Sequence, residues 1–492
     1  MNDVYLSWLE WEALEEKLEV RNIVHPCPLH EGIERIWVTR NDDCSLKAEA
    51  TGKDDQVFLK VESPSRRKGE RISLSTISGT LPGDAIATLN VFYEGRTIFS
   101  GNLTEHFYVK MIEIDYGTKS EPQWFSIWCL NGPRTEIMPS RGTKRILHTN
   151  ISRTRAVLGN APGEPDHRIE ATGGAEANSK DYWLIENEYF KLRLCNVPEV
   201  FGPKWSRNVA VELLEYPNHS FSLIDAQAIL GTLGFVFGSR LVPIGCSWFS
   251  NKGRIIRSES FVPWGTNLKE ECSQPAMPPV SIQSREMEKI VGQISEGIFR
   301  LNDELDLSPG MIGYWLSRLS PAEAAFANIA SGLEAVMNAW FRSKRSRSKA
   351  LYLPQAEFEA VTAEPFCQVE HALSEKAYAD RILRRLKQAN SIGPNERFER
   401  FFDEIELPIG EVEEYAISVR NRFVHGAGAV PTEKTHHLVY ALRSYQTLFH
   451  RILLKLIGFQ GSYVDYSCLG FPERPLLDPL GGPEGDGKPL RF

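Results

Sequence analysis

Through the first half of the chain, short β-rich runs alternate with Gly, Pro, Asn and Asp; after about residue 280, apolar residues recur every third or fourth position. The first pattern predicts strands at ERIWVTR (34–40), QVFLKVE (56–62), AIATLNVFYEG (85–95), HFYVKMIEIDYG (106–117), QWFSIWCL (123–130), DYWLIENEYFKLRLC (181–195) and RNVAVELLEY (207–216). Together they describe an all-β or β-dominated domain, with two packed sheets as one arrangement. The polar, Gly-rich segment 159–181 reads as a loop.

A Pro-containing linker over 267–280 precedes the helical period. Residues 282–305 predict a connecting helix, 312–341 a helix or helix pair with Phe326, Ile329, Ala330, Leu333, Met337 and Trp340 on one face, and 379–388 and 395–405 two more helices. After Pro431-Thr432, Leu438, Leu442, Tyr445, Phe449, Ile452 and Leu456 make a strong stripe on a long helix. The last segment, rich in Pro and Gly, is expected to be irregular unless it docks on another surface. The expected organisation is an α+β multidomain chain: a β-rich domain over 1–275, a helical linker over 276–308, an all-α bundle over 309–468 and a tail over 469–492.

Within the bundle, EVEEYAISVRNRFVHGAG (411–428) gathers an arginine, an asparagine and a histidine at the end of one short helix. Val412, Tyr415, Ala416, Val419 and Phe423 form its apolar stripe, Pro408 and Gly410 precede it, and Gly426 and Gly428 stop it. Glu411, Glu413 and Glu414 in the first turn and Arg420, Arg422 and His425 in the last suit the helix dipole. Ser418, Asn421 and His425 stack as a polar line, while Arg420 lies about 140° round from His425. One helix therefore cannot easily aim both groups at one phosphate. Two copies facing each other across a symmetry axis can.

An arginine, a polar residue, three more residues and a histidine resembles the R-x4-H motif of the HEPN superfamily of metal-independent endoribonucleases. The order of long helix, middle helices, short motif helix and long helix matches the HEPN bundle, and YWLSR, FANIASGLEAV and VRNRFVHG resemble the ApeA-type anti-phage defence proteins over about residues 305–460. The resemblance implies a homodimer that cuts host RNA, tRNA among the candidates, in abortive infection, with a phage-derived trigger or ligand on the N-terminal domain. In that chemistry His425 handles the proton of the 2′-hydroxyl or of the leaving 5′-oxygen and Arg420 holds the phosphate oxygens. A helix C-terminus should raise the His425 pKa and favour its acid role. Asn421 either orients the ring and binds phosphate or is a solvent-facing amide.

The remaining candidates carry two readings each. Arg422 is an RNA contact or a dipole-compensating base; Glu334, in the apolar run SGLEAVM, either reaches the motif helix to hold Arg420 or is an exposed boundary acid. FRSKRSRSK (341–349), with Lys344 and Arg345, and the helix face of Arg381, Arg384 and Arg385 are either an RNA-backbone surface or solvated basic residues.

Composition narrows these options. The 492 residues exceed one ordinary domain, and 42% hydrophobic content is enough for packed cores. A net charge of −8 argues against non-specific coating of nucleic acid, though not against a local basic groove. The acidic start lacks the basic flank of a signal peptide, and AILGTLGFVFG (228–238) is too short to span a bilayer, so a cytoplasmic protein without a membrane partner is expected. Eight cysteines without a CxxC pair read as reduced, mostly buried thiols. His25, Cys27 and His30, with Cys44, lack the tight spacing of a structural zinc site, so no metal and no cofactor is expected. Neither a nucleotide P-loop nor a GxSxG elbow is present. Scattered aromatics such as Trp124 and Trp128 are too little to argue for a carbohydrate enzyme. The rival is a non-catalytic dimeric sensor or scaffold built on a degenerate bundle.

Overall fold

The protein is described by a computed structural model, which covers residues 17–24, 33–52, 75–99, 102–133, 142–146, 176–180, 182–196, 207–215, 223–250, 255–263, 274–276, 285–424 and 434–491. It divides into two compact units, Met1–Pro275 with Pro279–Glu296, and Ala276–Pro278 with Gly297–Phe492. The expected strand at 56–62 and the candidate ligands His25, Cys27 and His30 lie outside the described residues. The expected loop at 159–181 does too, except for 176–180, which form a strand.

The first unit is built from β1 (Leu18–Val24), β2 (Ile33–Arg40), β3 (Leu46–Gly52), β4 (Ser75–Thr80), β5 (Ile86–Phe99), β6 (Asn102–Asp115), β7 (Trp124–Leu130), the separate pair β8 (Gly142–Ile146) and β9 (Glu176–Lys180), β10 (Tyr182–Glu186), β11 (Lys191–Asn196), β12 (Val209–Glu215), β13 (Val242–Phe249) and β14 (Ile255–Phe261). Twelve of them form one sheet, ordered β10-β11-β12-β7-β13-β14-β6-β3-β2-β1-β4-β5. Because β5 also pairs with β6, the six strands from β6 to β5 close into a barrel, and the other six extend from β6 as an open wing. The arrangement is therefore a barrel with a wing rather than two packed sheets. Closure removes the free strand edges that two sheets would leave.

Alternation fills the barrel: Ile36 and Val38, Leu46, Ala48 and Ala50, and Ala87, Leu89 and Val91 all point inward. On β6 the inward set changes parity, from Phe107 and Val109 to Ile112 and Ile114, at the point where Asn90 pairs with Met111 but Val91 pairs with Val109. A one-residue bulge accounts for that flip. The single apolar run of 181–195 resolves into the hairpin β10–β11, because Asn187 turns the chain by accepting from the backbone N–H groups of Tyr189 and Phe190.

The apolar run near 228–238 is α1 (Leu223–Phe237), a helix whose Phe237 meets Trp183 edge to face, with ring centroids 5.1 Å apart. It ends at Gly238, φ +65°, where a Cβ would sit 2.0 Å from the Gln274 backbone. Only glycine fits there.

Then follow α2 (Arg285–Leu305), α3 (Ser308–Leu319), α4 (Ala322–Arg342), α5 (Gln355–Leu373), α6 (Ala379–Lys387), α7 (Pro394–Ile405), α8 (Glu411–Val424) and α9 (Thr435–Leu456), with a short hairpin of β15 (Ser462–Val464) and β16 (Glu473–Pro475). The expected helix 282–305 is thus one helix whose first half belongs to the first unit and whose second half belongs to the second. The pair α3–α4 touches through glycines: a Cβ on Gly313 would come within 2.7 Å of the Gly332 backbone, so the two helices approach without side chains between them. α9 is buried along most of its length, and its stripe includes Leu438, Tyr445, Phe449, Ile452 and Leu456.

The C-terminal tail docks rather than remaining irregular. Tyr463, Asp465, Ser467, Cys468, Leu476 and Leu480 are buried, and Asp465 accepts from the Ser467 and Gly481 backbone N–H groups. Side chains and backbone amides of this kind hold a Pro/Gly-rich segment without repeating secondary structure.

Candidate active site

α8 spans Glu411–Val424, close to its expected extent, and buries Val412, Glu413, Ala416, Val419 and Arg420. Two of those five are charged. Each finds its opposite on a different neighbouring helix, and that pattern decides how the motif is held.

Near the start, Glu413 and Arg451 of α9 pair with neither side chain exposed. Glu413 also accepts from the Leu480 backbone N–H (2.9 Å) and, reaching back one turn, from that of Gly410 (3.1 Å). The last bond closes the helix N-terminus in the manner of a capping box. Arg451 donates further to the carbonyls of Pro408 (2.9 Å) and Leu476 (3.1 Å), so α8, α9 and the tail meet on one charge pair. Burial pushes the Glu413 carboxyl up, against the pull of Arg451 and the amide donors.

Toward the end, Arg420 bonds Glu334 of α4 at 2.8 Å, with 7% of the arginine side chain and 41% of the glutamate exposed. Its guanidinium lies over the Phe398 ring at 5.0 Å and hydrogen-bonds the Tyr445 phenol. Tyr445 is fully buried beside it; burial raises the phenol pKa and Arg420 opposes that rise. Arg420 therefore faces the bundle interior, the direction opposite to the polar line that the period assigns to Ser418 and His425. Ser418 is exposed and its hydroxyl donates to the Tyr415 carbonyl of its own helix (2.7 Å).

His425 lies outside the described residues, immediately after the last residue of α8. Asn421 and Arg422 have their backbone in the last turn of α8, and their side chains also lie outside the described residues. Of the site residues expected from the sequence, Arg420 and Glu334 are the ones that the described structure brings together.

Lys344 and Arg345 sit in an exposed turn after α4, and Arg345 pairs with Glu304 of α2 at 2.6 Å. Sequence reasoning missed what holds this turn. Glu404 of α7 accepts from Trp340 Nε1 (2.8 Å) and from the backbone N–H groups of Arg347 (3.2 Å) and Ser348 (2.8 Å). Burial opposes its ionisation, but these donors outweigh burial and hold the carboxyl below its ordinary range. Arg384 and Arg385 are exposed on α6.

Another missed group is His450, fully buried on α9 with Nε2 2.7 Å from the Tyr314 hydroxyl. Burial, aided by Arg318, lowers its pKa to about 3, so the ring is neutral. The signal was present as FHRILLKL, where His450 and Arg451 interrupt an otherwise apolar run.

The described cysteines are all free thiols; Cys44, Cys129, Cys195, Cys246 and Cys468 are buried and Cys367 is exposed. Among the described residues no cluster of three or more metal-ligating side chains forms, and no helix is long and apolar enough to cross a membrane. No protein-family model, curated protein or solved structure matches this chain.

Proposed function

We propose that the helical unit is a HEPN-type, metal-independent endoribonuclease of anti-phage defence, most like the ApeA-type proteins, and that it cuts host RNA at a site shared by two copies. One observation carries the reading. Arg420, five residues before His425, is fixed by Glu334, whose side chain is 41% exposed, so the ion pair runs from the bundle interior to its surface, where a phosphate would meet it.

In the proposed reaction the RNA 2′-hydroxyl gives its proton to solvent water as its oxygen attacks the adjacent phosphorus, the P–O5′ bond breaks, and a 2′,3′-cyclic phosphate and a 5′-hydroxyl result. His425 of one copy gives the leaving 5′-oxygen its proton. Arg420 of the other balances the charge on the phosphate oxygens. Glu334 is a positioning residue that fixes the guanidinium plane.

A second reading has its own observation. The burial of Arg420 beneath Phe398 and its pairing with Glu334 also suit a purely structural ion pair, as in a dimeric sensor or scaffold without catalysis. Cells expressing wild type, Arg420→Ala, His425→Ala or Glu334→Gln at equal level, with and without phage challenge, separate the two. New 2′,3′-cyclic termini in total RNA or tRNA that vanish in the first two variants and weaken in the third support cleavage. Indistinguishable RNA in all four supports the scaffold.

A further inference from the structure

α5 and α6 form a two-helix arm with no buried residue on either helix. α5 has 19 residues and α6 has 9, so they are about 28 Å and about 13 Å long, and α6 cannot cover the whole length of its neighbour. The half-buried stripe of α5, Phe358, Thr362, Phe366, Val369 and Leu373, faces the half-buried Ala379, Leu383 and Leu386 of α6.

Beside that stripe, α5 carries a second row at helical spacing, Val361, Pro365, Gln368 and Ala372, all exposed, with Val361 at 64%. α6 carries its own, Ile382 (42% exposed), with Tyr378 (66% exposed) at the cap just before its first residue. The charges bordering these rows differ in sign. α5 holds Glu357, Glu359, Glu364 and Glu370 without a lysine or arginine; α6 holds Arg381, Arg384, Arg385 and Lys387 against Asp380 alone. Their polar contacts stay local, Gln355 to Glu359, Gln368 to Glu364 and Arg381 over Tyr378, and no ion pair joins α5 to α6 among the described residues.

We infer that this arm is a homodimerisation surface, on which α6 of one copy lies against α5 of a second copy and the reverse. An acidic apolar row and a basic apolar row on one chain satisfy each other when a two-fold axis relates two chains. The long helix α9, buried within its own unit, offers no comparable free face. The inference rests on this exposed arm alone, and it stands whether or not RNA is cut.

Sedimentation of the full-length chain tests it, with exposed positions chosen so that thermal melting stays unchanged. Wild type should be dimeric at micromolar concentration. Arg381→Glu/Arg385→Glu and Glu357→Lys/Glu364→Lys should each weaken the dimer by roughly 100-fold, since like charges then face each other. Mixing the two variants should restore a dimer, because each mutated helix then meets its complement. A monomeric wild type, dimers that survive both reversals, or a mixture that stays monomeric would each overturn the inference. RNA end-mapping is read separately, so failure of this surface and failure of cleavage are told apart.

Discussion

At the start of α8 the acid belongs to the motif helix and its arginine partner to α9; toward the end the arginine belongs to the motif helix and its acid partner to α4. The first pair is sealed, with backbone donors and acceptors around both charges. The second is open on the glutamate side, where 41% of the acid side chain is exposed. Desolvated charges are tolerable only when every polar atom has a partner, so the sealed pair reads as anchorage. The open pair keeps its acid within reach of solvent. One helix thus has a sealed end and an end that opens to the surface.

The harshest way to break that contrast is to remove the tail from Gly461 onward. It takes away the Leu480 donor and the Leu476 acceptor together, and urea unfolding should show the helical unit lost. Next, Arg451→Ala leaves Glu413 buried and unpaired and should cost about 3–5 kcal/mol in the same assay, whereas Arg451→Met with Glu413→Leu should recover most of that loss.

Acid should act through His450. Its folded pKa is lowered from 6.5 to about 3, so the unfolded chain binds the extra proton and stability falls as pH drops through that window. The slope should approach about 1.4 kcal/mol per pH unit, and His450→Gln should flatten it in urea titrations at several pH values. The smallest effect on folding belongs to the open end. Glu334→Ala should cost only about 1–2 kcal/mol, because solvent reaches that side. Its loss of RNA cleavage should far exceed its loss of stability.

Much of this was legible in the chain. The switch from strands to helices, the limits of α8 and the stripe on α9 follow from period and from Pro and Gly alone. The sealed pair was not legible: Glu413 in a first turn is what the helix dipole already asks for, and its partner lies 38 residues away in sequence. α5 escaped notice because its apolar row is diluted by four acids and interrupted by Pro365. Barrel closure depends on β6 pairing with β5, its hairpin neighbour, and also with β3 about sixty residues upstream, and alternation cannot reveal the second pairing. Arg420 and Glu334 were visible as candidates. Their joint burial required the bundle.

Among the described residues the wing ends at β10, and the chain covers that edge late. Leu184 donates its backbone N–H to Glu288 (3.0 Å), at the beginning of α2 and roughly one hundred residues downstream. A ribosome adding about 5–20 residues per second makes that interval last roughly 5–20 s. During synthesis, therefore, the barrel strands are complete while a neighbouring strand still presents bare amides. Chaperone demand for this chain should peak in that interval, after β10 has emerged and before Glu288 follows it.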